Sequence, residues 1–152
     1  MLASGDIAPD FALPDQSGTV IRLSDLLTKG PVVLFFYPAA MTTGCTAEAC
    51  NFRDLAAEFS QAGAQRLGIS VDSVDKQKQF ADQNDFDYPL LSDADRTVAQ
   101  AYGVRRRFGP SPVKRATFVI GSDGVVIHTI SSELRMNKHA DEALQIVLNL
   151  PN

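Results

Sequence analysis

Six consecutive apolar residues, Val32 to Tyr37, stand between Pro31 and Pro38 in a chain of 152. A strand with one wet face alternates apolar and polar side chains. An unbroken apolar run rich in β-branched and aromatic residues needs cover on both faces. The run therefore predicts a central strand, and it obliges the rest of the chain to supply a layer on each side of a sheet. The material is there. Hydrophobic residues make up 45% of the sequence, and a charged share of 21% argues against disorder. The length suits one domain spanning residues 1–152.

The remaining segments fit that frame. Pro9 to Pro14 reads as a short strand or extended edge, Asp15 to Gly18 as a turn, and Thr19 to Leu23 alternates like a strand, which together make an N-terminal hairpin. Ser24 to Leu27 offers a short helical turn. A helix is expected from Thr42 to Ala62, with Phe52, Leu55, Ala56 and Phe59 on its apolar stripe and Gly63 as its stop. Arg66 to Val71 is the next strand, followed by a helix from Asp72 or Ser73 to Gln83. Then come a strand at Pro89 to Ser92, a helix opened by Asp93 to Asp95 and closed by Gly103, and a hairpin of Arg115 to Ile120 and Val125 to Ile130. A last helix runs from Asn137 to Leu150. Helix-linked strands imply parallel pairing and the late hairpin implies an antiparallel edge. The economical architecture is a mixed α/β sheet flanked by helices, matching a thioredoxin-like core with an N-terminal β-hairpin.

Charge narrows the partners. The formal net charge is -4, which argues against nucleic acid; the run Arg105-Arg106-Arg107 reads as a solvated loop. No basic and apolar leader follows Met1, and no apolar stretch reaches membrane-spanning length, so the expected location is the cytoplasm and no membrane is involved. In a reducing compartment, cysteines point to catalysis or redox chemistry more than to a structural bridge.

The chain has two cysteines, Cys45 and Cys50, both in the first turns of the helix that follows the central strand. At a helix N-terminus, backbone N–H groups and the helix dipole favour a thiolate. Gly44 permits close approach of backbone and substrate, and Thr42 stands one turn before Cys45. A packed, inert core cysteine is the competing reading for each thiol. Their spacing is informative. Five residues of ideal helix give about 7.5 Å of rise and about 140° of rotation, whereas a disulfide needs Cα atoms within about 6.8 Å. If the two thiols pair, the helix start must unwind. A thioredoxin-type C-x-x-C is missing, because Glu48 stands where its second cysteine would be; Glu48 also suits the first turn as a dipole partner. A zinc set of Cys45, Cys50, His128 and His139 is disfavoured by the spacing. His128 reads as an edge-strand residue and His139 as a solvated residue near a helix start.

The segment Pro38-x-x-x-Thr42-x-x-Cys45 resembles the active-site motif of the peroxiredoxins, and Cys45-Thr-Ala-Glu-Ala-Cys50 resembles the bacterioferritin comigratory protein, or Q-type, subfamily. Gly5-Asp-x-Ala-Pro-Asp-Phe-x-Leu-Pro14, Leu67-Gly-Ile-Ser70, Leu90-Leu-Ser-Asp93 and Tyr102-Gly-Val104 extend the likeness over most of the chain. The resemblance implies that Cys45 is the peroxidatic cysteine and Cys50 the resolving one. It implies that Thr42 hydrogen-bonds the peroxide and that Pro38 shields the thiolate. Arg115, in Lys114-Arg-Ala-Thr-Phe-Val-Ile120, matches the family's pocket arginine ahead of Arg53 and Arg107, with Glu48 as the residue that orients it. Thr43 departs from the proline that many relatives carry before Gly-Cys. The implied activity is reduction of hydrogen peroxide and organic hydroperoxides through a Cys45 sulfenic acid and a Cys45–Cys50 disulfide. The implied reductant is thioredoxin or a similar dithiol, with no metal, haem or flavin and with the chain as a monomer. The rival readings are a thiol–disulfide oxidoreductase on the same fold and a peroxide-sensing protein.

Overall fold

The computed structural model describes residues 1–151. The strands are β1 (Ala12–Pro14), β2 (Val20–Arg22), β3 (Val32–Phe36), β4 (Gln65–Ser70), β5 (Leu90–Ser92), β6 (Ala116–Ile120) and β7 (Val126–Ser131). The helices are α1 (Leu23–Leu27), α2 (Thr43–Asp54), α3 (Ala56–Gln61), α4 (Val74–Asn84), α5 (Thr97–Ala101) and α6 (Met136–Leu148). β1 and β2 form the N-terminal hairpin. The other strands form one mixed sheet in the order β5-β4-β3-β6-β7, parallel from β5 to β3 and antiparallel beyond it.

The proline-bracketed run is the middle strand, and every residue of β3 is buried. Its side chains alternate between two cores. Val33, Phe35 and Tyr37 pack with Phe52, Phe59, Phe80, Ala143 and Val147 on the face covered by α2, α3, α4 and α6. Val32, Leu34 and Phe36 pack with Phe11, Leu23, Val98, Tyr102 and Phe118 on the other. Phe35 stacks on Phe52 with ring centroids 4.1 Å apart, a geometry worth roughly 0.5–1.5 kcal/mol beyond area burial. That stack fastens α2 to the central strand.

Two element boundaries differ from the sequence reading. The helix expected over 42–62 is broken at Leu55, whose φ of -95° and ψ of 20° leave the helical region. Arg66 on β4 donates from Nη1 to the Phe52 carbonyl at 2.9 Å, taking the acceptor that a continuous helix would offer to Ala56. The helix after β5 begins at Thr97, because Asp93 accepts from the backbone N–H groups of Val98 and Ala99. Among the described residues no helix is long and apolar enough to cross a membrane.

Register positions the site. Phe36, at the end of β3, lies opposite Ala116, at the start of the antiparallel β6. The loop leaving β3 and the residue preceding β6, Arg115, therefore meet at the same end of the sheet. α2 begins there too.

Candidate active site

The loop from Pro38 to Thr42 is held in an uncommon shape. Met41 has φ of 65°, a left-handed conformation costing an L-residue on the order of 1–2 kcal/mol. Two anchors oppose that strain. Asp72, just past β4, accepts from the Ala40 N–H at 2.7 Å and from the Ser70 hydroxyl at 2.7 Å. The Thr42 hydroxyl donates to the Ala39 carbonyl at 2.8 Å. With its proton committed there, the exposed Thr42 oxygen can accept a proton from a ligand. Thr42 is also the N-cap of α2, yet its side chain caps no N–H, so the first-turn donors remain for another acceptor. Pro38 lies half-buried at the mouth of this loop.

Cys45 is in the first turn of α2, only 1% exposed. Arg115, just before β6, reaches it: Nη2 donates to Sγ at 3.3 Å, and Nη1 donates to Glu48 Oε1 at 3.0 Å. One planar guanidinium thus bridges two residues that helix periodicity places on the same face of α2. Burial works against the Arg115 charge, but Glu48 and Cys45 beside it outweigh burial and raise its pKa. The competing cations stand elsewhere. Arg53 donates to the Asn84 carbonyl and to Asp54, and Arg107 lies in an exposed loop. Gly44 matters for space: a Cβ there would lie 3.4 Å from Arg115 Nη2 and 3.4 Å from the Met136 methyl.

Glu48 is fully buried, and burial pushes its pKa from the ordinary 4.5 up to about 8 against the pull of Arg115. The folded chain therefore holds a proton that the unfolded chain has released between those two values. Stability from this group is full below 4.5 and is lost as pH rises to about 8. Glu48→Gln is expected to remove that slope. Urea midpoints from pH 5 to 8 should fall less steeply in the variant than in the wild type; parallel profiles would contradict the assignment.

Cys50 sits on the same helix but faces another way, with Sγ 3.8 Å from Asn84 Oδ1 at the end of α4. Both thiols are free. The far end of α2 is tied down by the Phe52 stack, by Arg66 on the Phe52 carbonyl and by the Tyr88 hydroxyl on the Ala49 carbonyl at 2.7 Å. Met41 to Thr43 and Ala47 are exposed. The start of α2 carries none of these three ties.

Two site residues escape the sequence reading. His139 is not solvated near a helix start; it is fully buried behind Glu48, 3.5 Å from its Oε2. Its spacing of four and eight residues from the buried Ala143 and Val147 is the signal that places it on the inner face of α6. Asp72 carries no local mark of its role, which depends on the neighbouring β3 loop. His128 lies on the edge strand β7, 3.4 Å from Glu142. Among the described residues no group of three or more His, Cys, Asp or Glu side chains is placed to hold a metal.

Known proteins share both sequence and shape with this chain. The AhpC/TSA family profile matches residues 4–129. Peroxiredoxin Bcp of Escherichia coli is 38% identical over 148 residues, covering 94% of each chain. The crystal structure of peroxidoxin BcpB from Mycobacterium tuberculosis superposes with a TM-score of 0.96 at 56% identity over the whole of both chains. Peroxiredoxin Q of Xanthomonas campestris gives a TM-score of 0.85 at 31% identity, covering 95% of this chain and 96% of that one. The mixed sheet, its helical layers and the N-terminal hairpin are the thioredoxin-like fold of these proteins.

Proposed function

Given that the chain belongs to the AhpC/TSA family and is a peroxide-reducing thiol peroxidase, a peroxiredoxin, we propose that Cys45 is its peroxidatic and Cys50 its resolving cysteine. The observation that carries this reading is the bridge from Arg115 to both Cys45 Sγ and Glu48. A cation fixed against the sulfur complements a thiolate and lies where charge develops on a departing oxygen.

The Cys45 thiolate attacks one oxygen of a hydroperoxide. The S–O bond forms as the O–O bond breaks, and the departing oxygen leaves as hydroxide or alkoxide and takes a proton. Arg115 and the uncapped first-turn N–H groups stabilise that oxygen, and Thr42 accepts a hydrogen bond from the peroxide O–H. Pro38 limits access of water to the sulfur. Cys45, now a sulfenic acid, is two electrons more oxidised. The Cys50 thiolate then attacks its sulfur, the S–S bond forms and the sulfenic oxygen leaves as water. The ideal-helix distance forbids this step while α2 is intact, so the first turns unwind once per cycle. Both cysteines lie on one helix, so the disulfide closes within a single chain and the cycle needs no second copy, in keeping with a monomer. A dithiol protein of the thioredoxin kind, in a reducing compartment, restores both thiols by exchange. The chain's own residues supply the steps up to the disulfide, with hydrogen peroxide and organic hydroperoxides as substrates.

A coupled assay with thioredoxin and several hydroperoxides tests the reading. Sustained turnover is expected. A single stoichiometric oxidation would favour a peroxide sensor, and protein-disulfide exchange without peroxide consumption would favour a thiol–disulfide oxidoreductase. Cys50→Ser is expected to leave the first oxidation intact and block recycling. Mass spectrometry after one equivalent of peroxide should find sulfenic acid on Cys45; an unmodified Cys45 thiol would contradict the division of roles.

A further inference from the structure

We propose that His139 is a positioning residue for this site: a neutral imidazole, fixed as its Nε2–H tautomer, whose positive N–H edge faces Glu48 Oε2 and so favours the carboxylate that aligns Arg115 on Cys45. The proposal rests on the peroxidase reading of Cys45 and Arg115.

The tautomer follows from the partners. His139 Nε2 lies 2.8 Å from the Ser132 carbonyl oxygen, which can only accept. The proton is therefore on Nε2. Nδ1 lies 2.8 Å from Thr117 Oγ1 and accepts from that hydroxyl. The opposite tautomer would set the Nε2 lone pair against a carbonyl lone pair. Burial also keeps the ring neutral by lowering its pKa.

Glu48 needs what this ring offers. Oε1 takes the Arg115 bond, but Oε2 is buried and has no hydrogen-bond partner among the described residues. His139 Nε2 stands 3.5 Å from it. An ionised Oε2 meets the positive edge of an N–H there, whereas a protonated one would point its own hydrogen at that N–H. The tautomer therefore favours the carboxylate. The charged groups around the pair come from four elements: Glu48 on α2, Arg115 before β6, Glu133 in the loop after β7, and Lys138 on α6. Glu133 fastens the same assembly from behind, because its Oε1 accepts from the Arg115 backbone N–H at 3.0 Å and from Arg106 Nη2 at 2.9 Å. His139 stays with β6 and α6 when α2 unwinds, so it also marks the place to which Glu48 returns.

Nitrogen-15 NMR of the ring at pH 7 reads the tautomer without any peroxide chemistry. A proton on Nε2 alone is expected; an Nδ1–H tautomer or an imidazolium overturns the proposal. Single-turnover oxidation of Cys45 is then followed against pH in His139→Leu, His139→Gln and Thr117→Val. His139→Leu is expected to slow oxidation near pH 7 about tenfold, the equivalent of one pK unit on Glu48, and to move the rise of the profile to higher pH. His139→Gln keeps an N–H donor and should recover most of the rate. Thr117→Val, which removes the hydroxyl that seats Nδ1 and so lets the ring turn away from Glu48, should shift the profile in the same direction as His139→Leu. Should His139→Leu not fold, the other two variants and the NMR result still decide. An unshifted profile and a wild-type rate in Thr117→Val, or in a folded His139→Leu, overturn the proposal. Absence of Cys45 oxidation in the wild type would instead sink the peroxidase reading.

Discussion

Cys45→Ser is expected to abolish peroxide consumption while leaving the fold intact. The substitution changes one buried atom, and a serine hydroxyl in its place stays within reach of the Arg115 donor. What disappears is the nucleophile. A serine hydroxyl is a weak nucleophile at its free pKa, and no general base stands beside it, since Glu48 is occupied by Arg115. Turnover should fall to the level of buffer alone for every hydroperoxide, with urea and thermal midpoints close to those of the wild type. Cys50 would remain in the variant and could be oxidised slowly, but its hydrogen-bond partner at 3.8 Å is the neutral Asn84 side chain, and the Arg115 donor that faces Cys45 does not bond it. Retained turnover in Cys45→Ser would end the present reading of the site.

Arg115→Gln is expected to have the next largest effect, a fall of roughly 10²–10³ in the rate of Cys45 oxidation, the usual consequence of removing one preorganised donor from developing charge. The arginine acts twice, on the attacking sulfur and on the departing oxygen. Raising the pH puts no donor beside the departing oxygen, so the rate lost should not return at pH 9. Arg115→Lys should fall in between, because a single ammonium cannot fork to Sγ and Oε1 as the guanidinium does. Removing the cation also leaves Glu48 Oε1 buried without its donor, a loss of about 1–3 kcal/mol. Arg115→Gln with Glu48→Gln separates the two effects: stability should recover and the slow oxidation should persist. Rapid mixing with hydrogen peroxide at several pH values measures it; recovery of the wild-type rate at high pH would show that Arg115 acts on the sulfur alone.

The parts of this site that a linear sequence displays are those set by local physics. Val32 to Tyr37 could only be a central strand, and the structure puts β3 third of five in its sheet. The run Thr42, Cys45, Glu48, Cys50 shares one helix start, so the orientation of each relative to the others follows from 3.6 residues per turn. The contacts that complete the site come from afar. Arg115 meets Cys45 because β6 runs antiparallel to β3 with Ala116 opposite Phe36, a pairing no local pattern reveals. The break at Leu55 depends on Arg66 of the neighbouring strand. Helix spacing sets Thr42 one turn before Cys45, but its hydroxyl proton goes to the Ala39 carbonyl behind it. His139 follows Asn137 and Lys138, and those polar neighbours make a buried histidine read as a wet one. Its burial is decided by Thr117, Ser132 and Glu48, which lie on three other segments.

In the proposed cycle Cys45 reacts from a folded helix and reaches Cys50 only when that helix opens. Hydrogen exchange of the amides of residues 43–50, combined with disulfide mapping after one equivalent of peroxide and no reductant, tests it most directly. The expected result is one intrachain Cys45–Cys50 bond, with protection lost across the start of α2 and retained in β3 and β6. A stable sulfenic acid on Cys45 beside a free Cys50 in a still-protected helix, or a disulfide between two chains, would contradict it.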